Sequence, residues 1–182
     1  MARLPVPDAD ELSAEVADLV AMTAPPGQEA PRTIAVLGRC EPLLGPFLGW
    51  AAALHLEGAL GGRDHELLAL RVALACGSDF EWGEHVEHAR AAGLTDEEIA
   101  RVAAGPDDPA WPAPEAALLR AADELVDGFD VGDATWAVLA DHYDRAQLTE
   151  IPFVVGQYTM LSMVANAAQV GLPEGLQPLP RR

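Results

Sequence analysis

The sequence is short of cysteine, of aromatic side chains and of positive charge, and each shortage removes a class of protein. Cys40 and Cys76 are the only cysteines among 182 residues. They form neither a C-x-x-C pair nor a disulfide framework of the secreted kind. Aromatic residues make up 5% of the chain although half of it is hydrophobic, so the core must be built from Ala, Leu and Val. Such residues suit close helix packing better than sheets. Eleven basic residues face 29 acidic ones, for a net charge of −18. That field repels a duplex or an anionic membrane, which leaves nucleic acid and membrane out as partners. Met1 to Asp10 carries no apolar h-region, so no signal peptide is expected and the location is read as cytoplasmic. The longest apolar stretch, Ile151 to Val170, holds Pro152, Gln157, Tyr158, Asn166 and Gln169, which are costly in lipid. It reads as a buried helix. No GxSxG, P-loop, dinucleotide fingerprint or kinase motif occurs.

What is present is helical punctuation. A first helix is expected over Asp8 to Met22, closed by Ala24-Pro25-Pro26-Gly27. Pro42 and Pro46 bracket a loop before a helix from about Gly45 to Leu60, and Gly61-Gly62 breaks the chain. Asp64 reads as the N-cap of a helix to Cys76. Further helices are expected at Asp79 to Ala92, ended by Gly93, and from the capping box Thr95-Asp96-Glu97-Glu98 to Ala104. The Pro-rich stretch Gly105 to Pro114 reads as loop. Helices then follow at Glu115 to Asp127, Asp133 to Asp141 and Gln147 to Gln169, with an irregular tail from Pro173. No stretch alternates with period two, so strands are not expected. The result is an all-α bundle of about eight helices in one domain over 1–182. Its motif core lies at 61–105, its N-terminal extension at 1–60 and its C-terminal helical part at 113–170.

Polar residues on apolar helix faces are the candidates for chemistry. Glu66 shares a face with Ala69, Leu70 and Ala73. Burial there would raise its pKa and make it a proton donor near neutral pH, whereas in a solvated first turn it would merely face the helix dipole. Arg71 is either an anchor for a substrate carboxylate or a structural partner for an acid. Ser78, Glu81, Trp82, His85 and Ala89 fall on one face. Glu81 is spaced to hydrogen-bond His85 at i, i+4 and so orient it, while Trp82 offers an apolar wall. Tyr158, Ser162, Asn166 and Gln169 form a polar stripe that lines either a pocket, an interface or the bundle interior. A metal would recruit Glu81, His85 and His88. However, the Glu-x-x-His pattern, HExxH and zinc cysteine pairs are all missing, so neither a metal nor a cofactor is expected.

The ordered segments Arg63-Asp64-His65-Glu66-Leu67-Leu68-Ala69-Leu70-Arg71-Val72-Ala73, Cys76-Gly77, Phe80-Glu81-Trp82-Gly83-Glu84-His85-Val86 and Ala89 to Ile99 resemble the carboxymuconolactone decarboxylase family. Glu115 to Gln169 and the segment to about Leu60 resemble its extended single-domain members. This resemblance implies an AhpD-like helical fold and a homo-oligomer, as dimer, trimer or hexamer. It also implies a small-molecule substrate. Some members are decarboxylases of a carboxylated muconolactone. Others are thiol peroxidases or disulfide reductases with a glutamate, a C-x-x-C pair and a histidine. Glu66 and His85 match that glutamate and histidine, while Ser78 and Glu81 stand where the two cysteines would be. The expected chemistry is therefore proton transfer of the decarboxylase, isomerase or lyase type. Glu66, Glu81 and His85 are its catalytic residues, and Trp82, Arg71, Cys76 and Tyr158 bind substrate. A one-cysteine peroxidase using Cys76 and a non-catalytic small-molecule-binding oligomer are the alternatives.

Overall fold

The computed structural model describes residues 2–24 and 29–180, and among these residues only helices and loops occur. The Pro25-Pro26-Gly27 break lies outside the described residues. The helices are α1 Ala14–Ala21, α2 Arg32–Leu37, α3 Glu41–Leu56, α4 Gly62–Ala75, α5 Asp79–Ala91, α6 Asp96–Ala104, α7 Ala113–Gly128, α8 Asp133–His142 and α9 Arg145–Ala168. Their ends follow local chemistry. Ser78 Oγ accepts from the Glu81 amide to open α5. Thr95 and Glu98 close the expected capping box on α6, and Asp144 with Gln147 does the same for α9. Gly93 takes a φ of 91° just past α5, a conformation that side-chain-bearing residues rarely adopt.

Four features differ from the sequence expectation. The first helix is broken, because the Ser13 side chain caps α1 and leaves a separate 3-10 turn at Ala9–Glu11. The short helix α2 was not anticipated. Its six residues fall below the length at which periodicity is readable. Helix α3 starts at Glu41 and runs through Pro46. Only one ladder bond is forfeited there, from position 46 to the Pro42 carbonyl. Helix α4 is capped by Gly61 rather than Asp64, which lies within the first turn.

Helix α4 is the axis of the molecule, with α5, α7 and α9 packed around it. Leu68, Ala69 and Val72 join Leu118, Leu139, Ile151, Val154 and Tyr158 in one core cluster. Leu67, Leu70 and Ala73 join Trp82, Val86, Ile99, Val102 and Trp111 in a second. A helix covered on both sides in this way has little solvated face, so the polar residues it carries at His65 and Glu66 are buried with it. Arg63 ties α4 to α6 and α7 by pairing with both Glu98 and Glu115. No helix among the described residues is long and apolar enough to cross a membrane.

Candidate functional site

Glu66 and His85 come together across the α4–α5 packing, with His85 Nδ1 2.7 Å from Glu66 Oε2. Glu66 is 1% exposed and His85 8%. Burial alone would raise the Glu66 carboxyl. The His85 imidazole, through its charge and its hydrogen bond, outweighs burial, and the net direction is downward. Burial likewise acts to lower His85, but Glu66 outweighs it with help from Glu81 and Glu84, and the ring is raised. Both directions favour a carboxylate beside a protonated imidazole. The expectation that burial raises the Glu66 carboxyl is corrected here, because the His85 imidazole beside it turns the net shift downward.

Glu81 does not orient His85. Its Oε1 accepts a long hydrogen bond of 3.4 Å from Thr33 Oγ1 on α2, and the partner anticipated for His85 at i, i+4 is replaced by Glu66 from the next helix. Burial pushes the Glu81 carboxyl up to about 6, against the opposing pull of His85 and Thr33. Glu81 is thus the carboxyl that titrates near neutrality. Tyr158 on α9 completes the cluster. Its hydroxyl lies 2.7 Å from His65 Nε2, and its ring meets His85 edge-on at 4.4 Å. Burial drives His65 down to about 4, so that ring is neutral.

A pocket of about 200 Å³ opens onto this cluster, and its wall includes Thr33, His55, Glu81, His85, His88 and Tyr158. It is smaller than the roughly 300–1,000 Å³ of sites for drug-sized ligands and suits a small substrate. A larger groove of about 850 Å³ lies elsewhere, against Leu125, Phe129, Trp136 and Phe153. Its lining is mostly apolar and lacks any of the buried titratable groups, so size alone does not mark the site.

Three expected site residues sit away from this pocket. Trp82 is fully buried in the second core cluster and does not line it. The indole is one position round the helix from Glu81, far enough to turn it inward. Arg71 makes a bidentate pair with Asp123 on α7, at 2.6 and 2.7 Å, and donates to the Val102 carbonyl. Five residues beyond Glu66, it points roughly 140° away around the helix. These bonds to Asp123 fasten α4 to α7. Cys76 is the half-buried C-cap of α4, outside the pocket wall, and burial pushes its thiol up. Glu66 itself adjoins the pocket through His85 rather than lining it. Ser78 is a buried helix cap.

The sequence reading missed His65, His55 and Thr33 and named His88 only in the metal set it set aside. His88 is exposed, yet it lines the pocket with its ring 5.3 Å from that of His85. The one available signal was that four of the five histidines cluster between positions 55 and 88.

Residues 47–124 match the carboxymuconolactone decarboxylase family, a span from α3 into α7 that includes Glu66, Glu81 and His85. No curated protein matches the chain. Among solved structures, a peroxidase-related protein with an alkylhydroperoxidase AhpD core from Ralstonia eutropha JMP134 superimposes with a TM-score of 0.80 at 17% identity. The match covers 95% of this chain and 93% of that one. A peroxidase-related protein from Silicibacter sp. TM1040 gives 0.77 at 18% identity, over 98% and 92% of the two chains. The debrominase Bmp8, in complex with 2,3,4-tribromopyrrole, gives 0.78 at 14%, over 96% and 92%. At these identities the likeness establishes the fold. Residues 47–124 thus match the carboxymuconolactone decarboxylase family, within an AhpD-like helical fold that takes in nearly the whole length of the chain.

Proposed function

We propose that this protein is an enzyme that moves protons on a small, carboxylated or unsaturated carbonyl substrate, as a decarboxylase, isomerase or related lyase. The observation that carries the reading is the buried Glu66–His85 pair at 2.7 Å, with the imidazole on the pocket wall. Glu66 orients the ring and keeps its proton in place, and His85 delivers that proton to substrate. In a decarboxylation the bond to the carboxylate carbon breaks, and its electron pair passes into the conjugated carbonyl. Carbon dioxide leaves, and the enolate takes the His85 proton at carbon. Tyr158 and His88 are the hydrogen-bonding groups beside His85 that meet the developing oxyanion. Glu81, titrating near 6, is the second carboxyl through which a proton returns. Among the described residues no arginine lines the pocket, so a substrate carboxylate is met by imidazole rather than by guanidinium.

A one-cysteine peroxidase would need Cys76 as an accessible thiolate. Its raised thiol, off the pocket, favours the proton reading. A pure binding protein would not need an imidazolium held by a buried carboxylate. We also propose that the chain forms one domain, acts in the cytoplasm, where the unbonded Cys40 and Cys76 stay reduced, and assembles as a homo-oligomer. The test is a panel of small carboxylated unsaturated lactones and β-keto acids, with carbon dioxide release and double-bond movement as readouts and hydrogen peroxide reduction alongside. His85→Ala should lower turnover by roughly a hundredfold or more, with Cys76→Ser unchanged. Peroxide reduction abolished by Cys76→Ser and untouched by His85→Ala would replace this reading with the thiol one.

A further inference from the structure

The proton step uses one histidine, yet four of the chain's five converge on this pocket. The His55 ring lies 5.3 Å from that of His65 and 6.2 Å from that of His88. One donor atom each from His55, His65 and Glu66 falls within 4.8 Å of the other two. Glu66 has a spare oxygen for this purpose. Oε2 is taken by His85, but Oε1 is buried and has no hydrogen-bond partner among the described residues. A buried carboxylate oxygen left unpaired is costly unless something meets it. The Gln157 Oε1, on the same pocket, is a second buried acceptor without a partner. Two buried acceptors beside two imidazoles form a setting that a cation fits.

We propose that His55, His65 and Glu66 bind one divalent transition-metal ion of the kind that takes nitrogen and oxygen donors, with zinc, cobalt and nickel as the fitting members. Two imidazoles and one carboxylate make a three-ligand set, which leaves a position open on the pocket side, where His55 forms part of the wall. The Tyr158 hydroxyl on His65 Nε2 leaves Nδ1 of that ring free to ligate, and Tyr158 becomes an outer partner that fixes the ring. His85 does the same for Glu66 from its other oxygen. Metal–ligand bonds of about 2.0–2.2 Å require donors closer than they stand here. His55, exposed in the last turn of α3, is the residue free to close the gap. Magnesium and calcium are poor fits, since both prefer all-oxygen shells. The ion and the proton pair share Glu66, but the metal site is read through His55 and His65, which the proton step does not use.

The test is titration of chelator-treated, full-length protein with Co²⁺ and Zn²⁺, followed by calorimetry and by visible cobalt absorption, in excess Mg²⁺ to mask the acidic surface. One ion per chain should bind, with cobalt bands of an imidazole-containing site. His55→Ala and His65→Ala should each weaken it by at least about tenfold, while His142→Ala, on α8, should leave it unchanged. The exposed His55 is the variant least able to disturb folding, and circular dichroism checks both. Binding that Mg²⁺ displaces, that saturates at several ions, or that survives both substitutions would overturn the proposal. Because binding is read without turnover, loss of the metal site and loss of His85-dependent activity are separately visible.

Discussion

Replacing Glu81 by Gln should make the protein less sensitive to pH. The Glu81 carboxyl is 3% exposed and is pushed up to about 6 from an ordinary 4.5, chiefly by burial. For an acid whose folded pKa is raised, the favourable contribution is complete below the unfolded value and is lost as pH rises through the folded one. The window therefore runs from about 4.5 to about 6, and above it ionised Glu81 opposes folding. A displacement of about 1.5 pH units corresponds to ~2 kcal/mol, of which about 1 kcal/mol falls between pH 5 and pH 8. Glu81→Gln keeps an oxygen for the Thr33 hydroxyl and removes the charge. Urea unfolding of both proteins at pH 5, 6, 7 and 8 isolates this residue, since every other carboxylate cancels in the difference. The variant should gain on the wild type steadily from pH 5 to about 7 and then level off. A difference that stays flat across the series would show that Glu81 ionises as a solvated carboxyl, and the second proton-carrying role would fall with it.

Other substitutions separate architecture from chemistry. Arg71→Met should lower stability by about 2 kcal/mol through loss of the bidentate Asp123 pair, seen as a shifted urea midpoint, with substrate KM unchanged. His85→Ala should destabilise by more, about 3–5 kcal/mol, because it leaves the Glu66 carboxylate buried and unpaired, and Glu66→Gln in the same background should recover part of the loss by thermal melting. Cys76→Ser should leave turnover within about twofold, since thiol chemistry is not used. Light scattering should give a multiple of 19.2 kDa, because Phe129, Trp136 and Phe153 are exposed around the large apolar groove. A particle of 19.2 kDa at every concentration would remove the oligomer.

How far this was readable from the sequence depended on which distances were local. Capping boxes act within four residues, and the one at Thr95 was legible to the residue. The helix α2 was not, because six residues starting after Pro31 offer no period to read. Within α5, the i, i+4 spacing made Glu81 the natural partner of His85. The structure gives that place to Glu66, 19 residues earlier, because α4 and α5 pack against each other. That contact is tertiary and has no spacing rule. The resemblance to a known family did pick out Glu66 and His85 together, on different grounds. Trp82 and Arg71 turn away from the pocket for a shared reason. Helix α4 and its neighbours are covered on several sides, so a polar or aromatic residue there has more than one interior to turn toward. His55 and His65 belong to different helices, and their rings meet only in the folded chain.

The central claim is that the proton of the Glu66–His85 pair rests on the imidazole. Nitrogen-15 NMR of the His85 ring, followed through a pH titration with His85→Ala for assignment, reads this directly. The account predicts a ring doubly protonated at pH 7, with its pKa above the ordinary 6.5 in the wild type and lower in Glu66→Gln. A His85 ring that is neutral at pH 7, or one whose titration ignores Glu66→Gln, would contradict it.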